Sequence, residues 1–286
     1  MGRLSQARNF QELCVQWDRR LAVENSSEVS VDGEEERDPQ RGLADSLHRL
    51  SDILRDQGEH SVQVDEEAVA LLEELGEKSG AADWSMELGR SYAQVPEGRG
   101  LIQAERWLTR ALQLIGEADQ EGKAHCLAEL GRTAWLQFIE ARRADGNVQD
   151  LRRHLNRARR YYQRAIEFDR EDDFKSLARH HKDLGHVSLA MGDVHFALPH
   201  YRESIRYDDL SGNRRHAATT RFELAIDLRN AGRPEEALDY ARTAFEQLRA
   251  LSEESDALLM RAKLLLDELS STARRSQRTR AAVEAR

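Results

Sequence analysis

The sequence predicts an all-α chain assembled from repeated helix pairs, and three observations carry that expectation. The 286 residues are 40% hydrophobic and 33% charged with 4 Pro, and Ala, Leu, Arg and Glu are abundant; such a composition favours helix throughout. Aromatic residues make up 6%, and no alternating Val/Ile/Thr run marks a strand. Five segments share one spacing of small and large residues, and Gly, Asp and Pro fall where helices should stop and start.

The stretch "KDLGHVSLAMGDVHFALPHYRESI" (Lys182 to Ile205) displays the spacing. Gly185 lies inside a helical pattern, where Gly costs roughly 1 kcal/mol against Ala. Ala197 follows twelve residues later. Segments elsewhere align on the same small residue, giving the series Ser51, Gly89, Gly131, Gly185 and Ala225, each preceded by Leu (Leu50, Leu88, Leu130, Leu184 and Leu224). Each is followed by a second helix whose small and apolar residues recur at offsets of four and seven, as in Ala158–Tyr162–Ala165, Ala197–Tyr201–Ser204 and Ala237–Ala241–Ala244. Those offsets keep the residues on one helix face.

Taken in order, residues 1–23 read as an amphipathic helix with Phe10, Leu13, Cys14, Trp17 and Leu21 as its apolar stripe. That stripe needs cover from the first repeat or from another chain, which leaves a homodimer through this helix open. Residues 24–42 are acidic and Ser-rich and read as a flexible linker. Residues 43–250 hold the five pairs. A loop is expected after Ser61 and a turn at Val95 to Gly100. The third pair is stretched, with one helix over Ala124 to Ala144, a turn at "DGN", and its partner over Gln149 to Asp169. "AMGDVHFA" places Gly192 and Asp193 as stop and cap; "NAGRPEEA" places Gly232 past a helix end and Pro234 in the next first turn. Residues 251–273 form a capping helix with the stripe Leu258, Leu259, Ala262, Leu265, Leu266 and Leu269. The basic tail, 274–286, is expected to fray.

The phased pattern resembles the tetratricopeptide repeat family, whose unit of about 34 residues is a helix–turn–helix with fixed small and large positions. "LGHVSLAMGDVHFALPHYRES" and "LAIDLRNAGRPEEALDYARTA" match its spacing well, and the likeness runs roughly from Leu43 to Ala250. The resemblance implies a right-handed α-solenoid of about five units, with Gly89, Gly131, Gly185, Ala197, Ala225 and Ala237 as packing contacts. It also implies a concave groove lined by the first helix of each unit. Carried over position by position, the groove residues are Arg90, Arg132, Trp135, Arg179, Lys182, His186, Phe222 and Arg229. The family's chaperone-tail clamp, with Lys and Asn at set positions of three consecutive repeats, is not matched: Arg90, Arg132 and His186 stand where Asn would be.

The formal charge of −9 argues against whole-protein attraction to nucleic acid or to an anionic membrane. Against that acidic background the middle of the groove is basic, so an acidic or C-terminal peptide is one expected occupant, with Trp135 and Phe222 offering apolar contact. The other reading is internal pairing, for example of Arg90 with Glu87 and Arg132 with Glu129. No GxxxxGK[ST], GxGxxG, HExxH or GxSxG motif is present. His180, His181, His186, His195 and His200 are enriched locally, yet no Cys completes a metal set, and they read as surface or groove-lining side chains. Asp172–Asp173 and Asp208–Asp209 read as caps and solvated residues. Cys14 and Cys126 read as small buried core residues of a reduced protein. No signal core or span of about 18 apolar residues appears.

The expectation is therefore a non-enzymatic protein–protein interaction module, an adaptor or scaffold in a bacterial cytoplasm, with no cofactor and no metal. The alternatives are a regulatory or sensor subunit controlling a separate protease, nuclease or transcription factor, and a receptor for a peptide or small ligand.

Overall fold

The computed structural model of the chain describes residues 2–25, 39–57, 59, 61–95, 98–251 and 256–284. Among them are twelve helices and no strand. In order these are α1 (Gly2–Asn25), α2 (Pro39–Asp56), α3 (Val62–Glu74), α4 (Lys78–Tyr92), α5 (Gly98–Leu114), α6 (Gln120–Arg143), α7 (Val148–Phe168), α8 (Phe174–Ala190), α9 (Val194–Leu210), α10 (Arg214–Asn230), α11 (Pro234–Leu251) and α12 (Ala257–Glu284). The chain divides into two compact units, Met1–Glu129 and Leu130–Arg286, with the boundary inside α6. The pairs expected from the sequence are α2/α3, α4/α5, α6/α7, α8/α9 and α10/α11. The long third pair is present, its turn made by Asp145 at φ 51° and by Asn147, which caps α7 by accepting from Asp150 N–H.

Each pair is closed where the small residue meets its second helix. A Cβ built on Gly185 would lie 2.8 Å from the ring of Tyr201, and one on Gly131 would lie 3.0 Å from the ring of Tyr162. A Cβ on Gly89 would overlap Leu108 at 2.5 Å. Tyr201, Ala197, Ala225 and Ala237 are all fully buried. The helix propensity lost at Gly185 is thus exchanged for close packing against a large ring. The tight turns follow one recipe. Gly192 and Gly232 adopt φ of +82° and +74°, which an L side chain resists. The next residues then begin the following helix, Asp193 capping α9 through Phe196 N–H and Pro234 opening α11.

The last helix repeats this grammar. In α12, Leu269 precedes Ser270 as Leu184 precedes Gly185, and Ala262, Leu265 and Leu269 are buried at the offsets held by Leu177, His180 and Leu184 in α8. It therefore covers α11 in the register of a first helix, and the expected stripe holds. It also continues as helix to Glu284, through the segment expected to fray. Arg, Ala, Gln and Glu dominate that segment, without Gly or Pro to break it.

Other expectations are corrected. Ser61 accepts from Val64 N–H and starts α3 instead of a loop. The helix α2 begins at Pro39, inside the expected linker, and α5 begins at Gly98, before Gly100; residues 26–38 lie outside the described residues. The N-terminal helix packs on α2 with a different face. Gln11 and Val15 are buried and Asp18 and Ala22 continue that face, while Leu13 and Trp17 are each 63% exposed. Polar anchoring decides this: Gln11 donates to Ser46 O at 2.9 Å, and Ser46 Oγ donates to Asp18 at 2.6 Å. The side chains of Phe10 and Leu21 lie outside the described residues. Cys14 is half-buried, whereas Cys126 is fully buried, its Sγ–H on Leu108 O at 3.1 Å and its thiol pushed up to about 12 by burial.

Two stability measurements test this packing. Gly185→Leu, which must displace Tyr201, is expected to lower stability by roughly 1–3 kcal/mol, and an unchanged thermal midpoint would contradict the pair geometry. Val15→Asp buries an unpaired charge and is expected to cost more than 1 kcal/mol, whereas Trp17→Ser stays within about 0.5 kcal/mol; equal effects in denaturant titration would reverse the assigned face of α1.

Candidate functional site: a charged row on the first helices

Within each unit, neighbouring first helices exchange charge at repeat-related positions. In the first unit, Arg90 follows Gly89 and lies 3.4 Å from Glu129, two residues before Gly131. Arg55, four residues after Ser51, lies 3.4 Å from Glu87, two residues before Gly89. In the second unit, His186 Nε2 lies 3.6 Å and Lys182 Nζ 3.3 Å from Oε2 of Glu223, two residues before Ala225. Arg229, four residues after Ala225, lies 2.9 Å from Glu268, two residues before Ser270. The partner of Arg90 is thus an acid on the next first helix. Glu87, three residues away on the same helix, turns to Arg55.

The row is densest between α8, α9 and α10. His186 Nδ1 lies 2.7 Å from Asp227 Oδ2 and 2.8 Å from Tyr201 Oη, and Tyr201 Oη donates to the same carboxylate at 2.5 Å. The tyrosine that fills the space over Gly185 therefore also ties its neighbour to the next repeat. Burial opposes a charge on His186, but hydrogen bonds to Asp227 and Glu223 outweigh it and raise its pKa to about 9. For Glu223, burial pushes the carboxyl up, yet the His186 hydrogen bond and Lys182 hold it below the usual range. Burial raises Asp183, beside Lys182.

The expected groove residues divide accordingly. Lys182, His186 and Arg229 sit on this row and are paired. Arg179 is exposed, with its guanidinium 3.4 Å from His180 Nε2. Arg132 is exposed, and Trp135 is half-buried against Phe138 at a ring separation of 5.2 Å. Phe222 is a correction: it is 3% exposed and belongs to the core of the second unit, so it offers a groove occupant no apolar surface. Its position, three before Ala225, turns inward with Leu224 and Ala225.

The sequence reading also missed buried polar pairs. His180 is fully buried against Asp169 at 2.7 Å, and His181 is buried with its Nδ1 2.9 Å from that of His200. Burial, then the proximity of His200, lowers His181 to about 4; burial and Arg159 lower His200. Asp208 is buried and accepts from His216 at 2.8 Å, in place of the solvated residue expected. In the first unit, buried Asp65 accepts from Ser51 and from Tyr92 Oη, the latter at 3.0 Å. A signal existed for the histidines: His180 and His181 share helical spacing with Leu177, Leu184 and Ser188, which marks the inward face. Of the five histidines expected at the surface or lining the groove, His195 is exposed and His186 lies partly exposed on the first-helix row. Among the described residues no group of three or more His, Cys, Asp or Glu is placed to hold a metal ion, and no helix is long and apolar enough to cross a membrane.

With this geometry in view, comparison with known proteins finds that a model of the tetratricopeptide repeat matches residues 176–250, from α8 to α11. The segment is the one containing Gly185, Tyr201 and Ala225. None of the curated proteins matches the chain. Among solved structures, the crystal structure of MamA shares 17% identity over 70% of this chain and 95% of that one, with a TM-score of 0.46. That of BtubC (BKLC) from P. vanneervenii shares 14% identity over 99% of this chain and 93% of that one, with a TM-score of 0.47.

The His186 network sets a pH dependence. Its folded pKa of about 9 exceeds the usual 6.5, so its stabilisation is complete below pH 6.5 and is lost as pH rises through about 9. Glu223, shifted down from 4.5, acts oppositely and loses its stabilisation as pH falls below that value. Chemical denaturation from pH 5 to 10 is expected to show a decline of on the order of 2 kcal/mol above pH 6.5 that His186→Gln flattens; an identical decline in the variant would remove His186 as its source.

Proposed function

We propose that the chain is a non-enzymatic interaction module, an adaptor or scaffold, whose first-helix row receives an acidic or C-terminal segment of a partner protein. Tetratricopeptide repeats make the module a protein-interaction one in general, because stacked repeats present long continuous faces to partners. The observation that carries the finer reading is partial exposure of the row: the side chains of Lys182, His186, Glu223 and Asp227 are 17%, 27%, 33% and 24% exposed. Inter-repeat pairs hold these side chains in place before any partner arrives, which lowers the entropy lost on binding. Arg132 and Arg179 project further and supply first contacts to carboxylates.

A charge swap separates binding from architecture. Lys182→Glu loses the pair with Glu223, and the Lys182→Glu/Glu223→Lys double variant restores it with the signs exchanged. The double variant is expected to regain the wild-type thermal midpoint while its affinity for an isolated partner stays at least about tenfold down, as calorimetry would read. Unaltered partner affinity in the double variant and in Arg132→Glu would refute the row as the binding face.

A further inference from the structure

The second helices carry a separate charged feature. The helix α7 holds six arginines, Arg152, Arg153, Arg157, Arg159, Arg160 and Arg164, against the acids Asp150 and Glu167. Three have work inside the fold: Arg153 pairs with Asp150 at 3.2 Å, Arg157 donates to Gln137 at 3.3 Å, and Arg159 pairs with Asp193 at 3.4 Å while stacking 4.1 Å over Phe196. Arg152, Arg160 and Arg164 are exposed and make no ion pair or hydrogen bond among the described residues. In a chain of net charge −9, such unanswered cations are not a compositional surplus.

Arg160 and Arg164 border an open cleft of about 490 Å³ between α7 and α9. Gln163 completes that wall, Phe196 and His200 form the other, and Leu184 of α8 lies beneath. The two guanidinium stems are four residues apart, one turn along a single helix face. Burial and Arg159 lower His200, so its ring is neutral near pH 7 and adds a hydrogen-bonding edge without charge. Glu167 closes one end, and Glu203, on the α9 side, is taken by Arg206 at 2.6 Å.

We infer that this cleft docks an acidic segment of a partner protein, carboxylates on Arg160 and Arg164 and one apolar side chain against Phe196 and Ile166, which are partly exposed in its lining. The cleft has the volume of a large side chain with its flanking backbone, and its walls combine cationic and apolar surface. A nucleic acid would need a longer basic track, on a molecule whose other charge repels it. The inference rests on the interaction-module reading but uses the second helices, not the first-helix row.

The test is fluorescence polarisation of the full chain against a library of labelled peptides, each combining two or three Asp or Glu with one Leu, Phe or Trp. A single-stranded oligonucleotide and an all-Glu peptide serve as competitors. The chain is expected to bind a subset of the library, with Arg160→Glu/Arg164→Glu weakening it at least tenfold. Arg142→Glu/Arg143→Glu, an equal charge change at exposed positions of α6, should change it less than twofold. The all-Glu peptide should compete poorly, for want of the apolar group. The inference is overturned if no peptide binds, if both double variants weaken binding equally, or if the oligonucleotide displaces the peptide more strongly than unlabelled peptide does. Loss with Lys182→Glu but not with Arg160→Glu/Arg164→Glu would also overturn it while leaving the first-helix reading intact.

Discussion

The close approach of two helices over a residue without a bulky side chain governs this architecture. At Gly185 the backbone of α8 comes near enough that the ring of Tyr201 occupies the volume where a Cβ would stand. Packing at this distance fixes the crossing of the two helices and the height at which their side chains project. The same contact recurs with Gly131 against Tyr162 and Gly89 against Leu108. Because Tyr201 also hydrogen-bonds Asp227 of α10, the contact that closes one pair sets the position of the next. Local packing and repeat stacking are here the same constraint.

Charge follows from that spacing. Once first helices stack at fixed offsets, a cation after the small residue of one helix meets an acid two residues before the small residue of the next. Arg90 with Glu129 and His186 with Glu223 obey this in separate units. Partly exposed pairs of this kind contribute little each. Their value lies in holding long side chains upright on a face that a partner can read, and in keeping a row with many cations close to electrical balance.

Much of the fold was legible because it is written in short-range periodicity. The Leu–small pairs, the Gly and Pro at turns and the second-helix offsets depend on a few residues of local sequence, and they located ten helices in pairs. The face of α1 was not legible, because Gln11 and Asp18 bury through hydrogen bonds to α2 that no hydrophobic count reveals. Phe222 was misplaced for a related reason: one residue position on a helix turns a side chain by about 100°, which separates groove from core. The candidate row was legible as a set of cations but not as a set of pairs, since Glu223, Asp227 and Glu268 lie roughly 40 residues further along the chain. The buried histidines show the same limit, each needing a carboxylate or ring from another helix.

Repetition also creates a hazard in assembly, because similar helices can dock one repeat out of place. At the inward position five before the small residue, the six first-helix registers carry Ser46, Trp84, Cys126, His180, Thr220 and Leu265, all buried and no two alike. A helix docked on the wrong neighbour would bury His180 away from Asp169, or Asp65 away from Tyr92, at about 1–3 kcal/mol for each polar group left without its partner. The unlike residues inside a like framework thus act as keys, making the native order of repeats the one in which His180 meets Asp169 and Asp65 meets Tyr92.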